Sequence, residues 1–246
     1  MKKIRADQLL VERGLAPSRA RAQALIAAGA VVSGPGKVEK AGQLLAPDAE
    51  LRLLREDHPF VSRGGLKLQH AIGVFKVDVQ GKSALDIGSS TGGFTDVLLQ
   101  AGARDVTCVD VGENLLDWKI RSDKRVRIVE GINARYLKFE DLGRTYDLIV
   151  CDVSFISLSK IVPALMVFAE AETVWVTLIK PQFEVGPERV GKGGIVRDSA
   201  DHEAAVKSVT RALENLGLER LELVESPIKG SAGNREFLAC WRKQRT

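Results

Sequence analysis

Residues 83–95 read Ser83-Ala84-Leu85-Asp86-Ile87-Gly88-Ser89-Ser90-Thr91-Gly92-Gly93-Phe94-Thr95. A short apolar run closes on a turn of glycines and hydroxyl residues, and a helical pattern opens at Gly93. That is strand, tight turn, helix. Glycine serves where backbone must approach a ligand closely, and the helix N-terminus behind it presents unpaired N–H groups. By itself such a loop fits a nucleotide site as well as a structural turn. Two neighbours narrow the reading. Asp86 stands in the turn, where it would repel a pyrophosphate, and a second strand over 106–111 carries Asp110 at its end, where a carboxylate suits ribose hydroxyls. Together they favour S-adenosyl-L-methionine, a ribose with a sulfonium and no phosphate, over a dinucleotide or a purely structural loop, which this stretch alone leaves open.

Outward from that turn the chain alternates strand and helix, the pattern of a parallel sheet covered on both faces. Strands are predicted over 84–87, 106–111, 126–130, 147–152 and 174–179. A helix over 199–216 ends at Gly217, and two last strands over 221–224 and 236–241 are joined by a Ser-, Pro- and Gly-rich segment. The expected fold is α/β, a doubly wound, mostly parallel seven-stranded sheet with an antiparallel last strand. Ligands of such sheets sit beyond the carboxyl ends of the strands, where Asp86 and Asp110 fall.

Composition excludes several classes. Of 246 residues, 45% are hydrophobic and 28% charged, enough for a sizeable core. No apolar run reaches the roughly 18 residues a membrane helix needs, and the basic start of the chain has no apolar stretch behind it. The cytoplasm is the expected compartment. Cys108, Cys151 and Cys240 stand alone in apolar runs, and His58, His70 and His202 lack ligand spacing, so neither a disulfide framework nor a metal site is expected. Net charge is +4. Within residues 1–30 six cations face two acids, which accounts for the whole excess. A basic segment on a neutral body suits nucleic acid; a solvated helix face is the plainer alternative.

The first 54 residues read as two short helices, over 5–13 and from behind Pro17 and Ser18 through Ala28 to Gly29, followed by strands over 30–32, 43–45 and 50–54. Ser18 is placed to cap the second helix. Arg19 and Arg21 fall in its first turn, where cations oppose the helix dipole and an anionic ligand explains them better than stability does. Arg5, Asp7, Leu9, Leu10, Gly14, Ser18, Arg19, Ala22, Ile26, Gly29 and Val31 together resemble the small RNA-binding domain of the ribosomal protein S4 type. The resemblance implies that Lys3, Arg5, Arg19 and Arg21 lie on a face turned toward RNA. Residues 55–62 read as a linker and 63–246 as the second domain.

In that domain Asp152 ends one strand, Lys180 ends the next, and Glu236 opens an antiparallel one, so all three reach the edge that carries the glycine turn. Lys67 reaches it from the helix before the first strand, an odd place for a cation unless a carboxylate partners it. The whole chain resembles the TlyA (haemolysin A) family of FtsJ-like RNA ribose methyltransferases. The stretches that carry this are residues 62–67, 86–96, 110–112, 152–157, 178–184, 191–198 and 233–237. The resemblance implies a catalytic set of Lys67, Asp152, Lys180 and Glu236, S-adenosyl-L-methionine as methyl donor, and ribosomal RNA or ribosomal subunits as partner, with cytidine as target. The family's older name implies a membrane, but the sequence has no apolar or amphipathic membrane-inserting segment, so no membrane is expected as a partner, and no obligate protein partner is evident.

The chemistry gives that set a sense. A ribose 2′-hydroxyl is a poor nucleophile while it keeps its proton, and a lysine in such a cluster can take the proton or steer the lone pair. Lys180 is assigned that part, Lys67 the hold on the oxygen, and the two carboxylates the orientation of the amines. For the cofactor, Gly88, Ser89, Ser90, Thr91, Gly92, Gly93 and Phe94 are expected under the methionine portion. Asp86 is expected near its amino group, Asp110 on the ribose, and Asn133 at the adenine. The 191–198 loop, with Lys192 and Arg197, suits a mobile cover over RNA or a plain flexible loop. Two other functions stay in view: a membrane-active haemolysin and a catalytically silent RNA-binding scaffold.

Overall fold

The computed structural model describes residues 3–16, 18–27, 29–54, 58–230 and 232–245. The chain divides into two units, Met1–Pro59 and Phe60–Thr246. Pro17, Ala28 and residues 55–57 of the expected linker lie outside the described residues.

The first unit runs β1 (Ile4–Arg5), α1 (Ala6–Glu12), α2 (Arg19–Ala27), β2 (Val31–Ser33), β3 (Gly36–Lys37), β4 (Leu44–Leu45) and β5 (Leu51–Leu53). Gly14 ends the α1 segment with φ +68°, the left-handed conformation only glycine adopts without cost. Ser18 does cap α2, its Oγ accepting the Arg21 N–H at 3.2 Å. One face of each helix is apolar: Ala6, Leu9 and Leu10 from α1 and Ala22 and Ile26 from α2 close on Val31, Val38 and Leu51. β2 pairs antiparallel with β3 and β5, and β1 with β4. Two-residue strands such as β1 and β3 carry too little periodicity to be read from sequence.

The second unit opens with α3 (Gly65–Phe75) and then alternates β6 (Ser83–Ile87), α4 (Gly93–Gln100), β7 (Asp105–Asp110), α5 (Trp118–Arg121), β8 (Val126–Glu130), α6 (Phe139–Leu142), β9 (Tyr146–Cys151), α7 (Leu158–Leu165), β10 (Ala169–Ile179), α8 (Pro181–Glu184), α9 (Ser199–Glu214), β11 (Leu218–Glu225) and β12 (Phe237–Lys243). The strands form one sheet in the order β11-β12-β10-β9-β6-β7-β8. β6 through β10 pair parallel, while β12 runs antiparallel to both β10 and β11. Every residue of β6 is buried, as a central parallel strand covered on both faces requires. Two apolar layers do the covering. Leu68, Phe94, Leu98, Val106 and Ile120 pack on one face, and Leu158, Ile161, Leu165, Phe168, Val209 and Leu213 on the other. The edge strand β11 exposes Glu219, Arg220, Leu221 and Glu222, charges that discourage a further strand from pairing there.

Candidate active site

β6, β7, β9 and β10 all end on one edge of the sheet, and antiparallel β12 begins there. The residues that follow or precede these ends therefore share a neighbourhood. Lys67 lies in the first turn of α3, Asp152 follows β9, Lys180 follows β10 and Glu236 precedes β12. Lys67 Nζ donates to Glu236 Oε2 at 2.6 Å and stands 3.9 Å from Asp152 Oδ2. Lys180 Nζ is 2.5 Å from Asp152 Oδ1 and donates to Ser154 Oγ at 2.8 Å. Asp152 thus sits between two ammonium heads. Lys67, Lys180 and Glu236 are buried, Asp152 less so. The unusual cation in the first turn of α3 is explained by its two carboxylate partners. Each ammonium has three donors, so each keeps at least one for an incoming oxygen.

Close backbone contacts hold the set together. A Cβ on Gly93 would stand 2.3 Å from Ser62 Oγ and 3.0 Å from Gly65 N, and one on Gly65 would stand 2.6 Å from the Phe60 ring. The start of α3 therefore packs directly on the start of α4, fixing Lys67 relative to the glycine turn. A Cβ on Gly88 would come within 2.5 Å of the Asp152 carbonyl oxygen, and Gly88 has φ +81°. Glu236 rests on Gly230 in the same way, a Cβ there falling 2.3 Å from Oε1.

Beside the four charges opens a cleft of about 480 Å³, within the size range of cofactor sites. Its walls are apolar, with Val109, Val111, Leu115, Ile132 and Ile161, and its polar lining includes Ser90, Asp110, Asn133, Asp152 and Ser154. Among the described residues, the charged ones lining it are Asp110 and Asp152, and no Lys, Arg or His does. An acidic, cation-free lining suits a sulfonium or ammonium ligand and repels a pyrophosphate. Asp110 Oδ2 accepts the Ser90 N–H and Oδ1 the Gly112 N–H, both at 2.8 Å, which fixes the turn. One lone pair on each oxygen stays available for hydroxyls. Ser90 is held at φ +48°. Asn133 lines the cleft, with its Oδ1 taken by the Arg135 N–H at 3.0 Å.

Not every residue expected at the cofactor lies on the cleft. Asp86 is within β6 rather than in the turn, wholly buried, and accepts from Thr95 Oγ1 at 2.6 Å. Burial pushes its carboxyl up to about 7. Its Oδ1 and the Ser89 hydroxyl are buried without a hydrogen-bond partner, two polar groups left over at the base of the turn. Gly92 meets Leu116 and Ile120, Gly93 meets Ser62 and Gly65, and Phe94 packs in the core; these serve helix packing. Thr91 is exposed. The acidic lining fits the charge of S-adenosyl-L-methionine, and Ser90, Asp110 and Asn133 are the polar side chains on the cleft wall that would hold it.

The loop bearing Lys192 and Arg197 is pinned. Asn234, buried, donates from Nδ2 to Gly194 O at 2.8 Å and accepts the Val196 N–H at 2.9 Å. Both cations are exposed. In the first unit Lys3 and Arg5 are exposed, Arg21 is half-buried, and Arg5 and Arg19 converge on Asp7.

Several side chains around the site escaped the sequence reading. Ser154 holds Lys180. Glu184, pushed up by burial, accepts from Ser157 Oγ at 2.5 Å and Leu158 N at 2.9 Å, tying down the 152–157 loop. Phe155 is 91% exposed at φ +65°, its ring 5.1 Å from that of Phe183. A bulky residue in that conformation is a genuine outlier. Among the described residues no group of three His, Cys, Asp or Glu is placed to hold a metal ion, and no helix is long and apolar enough to cross a membrane.

The FtsJ-like methyltransferase profile matches residues 60–243 and the S4 domain profile residues 4–51. The chain is 42% identical over 244 residues to a 16S/23S rRNA (cytidine-2′-O)-methyltransferase named TlyA from Mycobacterium tuberculosis, covering 99% of this chain and 91% of that one. It is 40% identical over 239 residues to Hemolysin A of Brachyspira hyodysenteriae, covering 96% and 98%. A solved structure from Streptococcus thermophilus, also described under a hemolysin name, superposes with a TM-score of 0.78 at 43% identity, covering 100% of this chain and 90% of that one. With a methyltransferase sheet, an S4 domain ahead of it and relatives this close along nearly its full length, the chain belongs to the FtsJ-like methyltransferases, in their TlyA branch.

Proposed function

We propose that this protein methylates the 2′-hydroxyl of a cytidine ribose in ribosomal RNA, using S-adenosyl-L-methionine and holding the RNA in part through its S4 domain. The observation that carries the reading is Asp152, which lines the acidic cleft and contacts both buried lysines. Bound in that cleft, S-adenosyl-L-methionine supplies an electrophilic methyl group. The residues of the chain do the rest. The free N–H of Lys67 holds the 2′-oxygen. As an ammonium, Lys180 turns the oxygen's lone pair toward the cleft; it takes the hydroxyl proton only after releasing one of its own to solvent, while Ser154 and Asp152 fix the lysine's direction. Glu236 balances Lys67 and Asp152 balances Lys180, so the amines stay buried without net charge. Alignment of the reacting atoms contributes up to roughly 7–11 kcal/mol in favourable sites. Phe155, propped on Phe183 at the cleft rim, offers a face for base stacking.

The cytidine assignment rests on the names of the relatives, and the cytoplasm is where ribosomal RNA would be met. The test is transfer of labelled methyl groups to ribosomal RNA and to ribosomal subunits, followed by mapping of riboses resistant to alkaline cleavage. Lys180→Ala should abolish the label while leaving cofactor binding intact. Full activity of that variant would refute the role given to Lys180.

A further inference from the structure

The basic face of the first unit is built around an acid. Asp7 lies in α1 with no exposed surface, yet it accepts four hydrogen bonds. Arg5 donates from Nε to Oδ1 and from Nη2 to Oδ2, both at 3.0 Å. Arg19 Nη2 and Gln23 Nε2 donate to Oδ2 at 3.1 and 2.9 Å. Arg5 also packs over Gly42, where a Cβ would approach Nη1 to 3.2 Å. Both guanidinium groups face solvent, with 45% and 58% of their side chains exposed. A surface arginine ordinarily samples many rotamers and gives up that freedom when it grips a ligand. Here the freedom is already gone, because two planar forks share one buried carboxylate. The Arg5 hydrogen bonds hold that carboxyl well below the usual range, so the anchor stays charged.

We infer that Asp7 builds a phosphate fork: it fixes Arg5 and Arg19 in one orientation, and their outward N–H groups take a phosphate of the RNA backbone. After the contacts to Asp7, Arg5 keeps both Nη1 hydrogens and one on Nη2, and Arg19 keeps Nε, both on Nη1 and one on Nη2. Guanidinium forks match phosphate oxygens in pairs, which a lysine point charge does not. Asp7 is therefore a positioning residue acting through its arginines. The inference rests on the reading that the S4 domain binds RNA.

It makes a prediction opposite to simple charge counting. Deleting an acid from a basic face should strengthen RNA binding if only net charge matters. If Asp7 holds the fork, Asp7→Asn should weaken binding about tenfold and flatten the dependence of affinity on salt. The experiment titrates full-length protein against protein-free ribosomal RNA at several salt concentrations, with circular dichroism confirming the fold. Arg5→Lys, at an exposed position, keeps the charge and loses the two-toothed hold, so it decides the matter even where Asp7→Asn fails to fold. The expected result is a loss for Arg5→Lys close to that for Arg5→Ala, with Asp7→Asn adding nothing further in the Arg5→Ala/Arg19→Ala background. Wild-type affinity of Arg5→Lys, or tighter binding by folded Asp7→Asn, would overturn the fork. Unchanged affinity of Arg5→Ala/Arg19→Ala would instead sink RNA binding by this face, and the fork with it.

Discussion

Replacing Lys67 with Met should separate what the buried charges do for stability from what they do for chemistry. Lys67 and Glu236 meet at 2.6 Å with 9% and 3% of their side chains exposed. At an effective dielectric of about 20, that separation corresponds to roughly 6 kcal/mol of attraction, most of it offset by the cost of taking two ions out of water. Lys67→Met removes the attraction and leaves Glu236 buried without a cation. The expected loss is about 3–5 kcal/mol, or roughly 6–20 °C in the melting temperature of a unit of this size. Glu236→Leu should cost a similar amount. The double variant replaces both ions by hydrocarbon of similar volume and should recover most of the loss. Methyl transfer behaves differently: a hold on the 2′-oxygen is gone in Lys67→Met and in the double variant alike, so both should fall by about 100-fold or more. Thermal unfolding, following the transition that added S-adenosyl-L-methionine raises, and labelled-methyl transfer to ribosomal RNA read the two effects. A shift below about 2 °C in Lys67→Met would show the pair to be screened by water, and recovery of transfer in the double variant would remove Lys67 from the chemistry.

Two further outcomes are expected. Phe155→Gly relieves a left-handed backbone at a side chain that is 91% exposed, so stability should rise by about 1 kcal/mol while KM for RNA rises; an unchanged KM in steady-state assays would end the stacking role. Asp86, held up to about 7 by burial, binds more protons folded than unfolded. Its contribution to stability is therefore present in acid and lost as pH rises from about 4 through 7. Asp86→Asn should remove up to about 4 kcal/mol of that decline, and melting curves of the cofactor-free protein with equal pH slopes for both forms would contradict it.

How far the sequence could be read depended on whether a feature was local. The buried strands β6, β7 and β9 were legible because apolar runs bounded by turns declare themselves, and Ser18 was legible as a cap because capping is a matter of neighbours. The four charges were found by topology: strand ends that share an edge bring Asp152, Lys180 and Glu236 together whatever their separation in the chain. What escaped was contact geometry. Nothing local says that Gly93 is small because α3 crosses it, that Gly230 seats Glu236, or that Glu184 ties the 152–157 loop. Asp86 was expected in the turn because a carboxylate beside glycines resembles a ligand contact, whereas it lies within β6 and accepts from Thr95. Arg5 and Arg19 look like free cations in one dimension and prove to be pinned in three.

The position of β12 has a consequence for how the protein is made. Among the described residues it is the last strand in sequence order, yet it fills the slot between β10 and β11 rather than capping an edge, and the residue just before it completes the charge cluster. Until translation has passed residue 243, β10 offers a bare, apolar margin and Lys67 has no Glu236. A nascent chain therefore lacks the completed cluster and is vulnerable to cross-pairing with its siblings. The finished charge cluster and protection from clumping arrive together, in one late insertion.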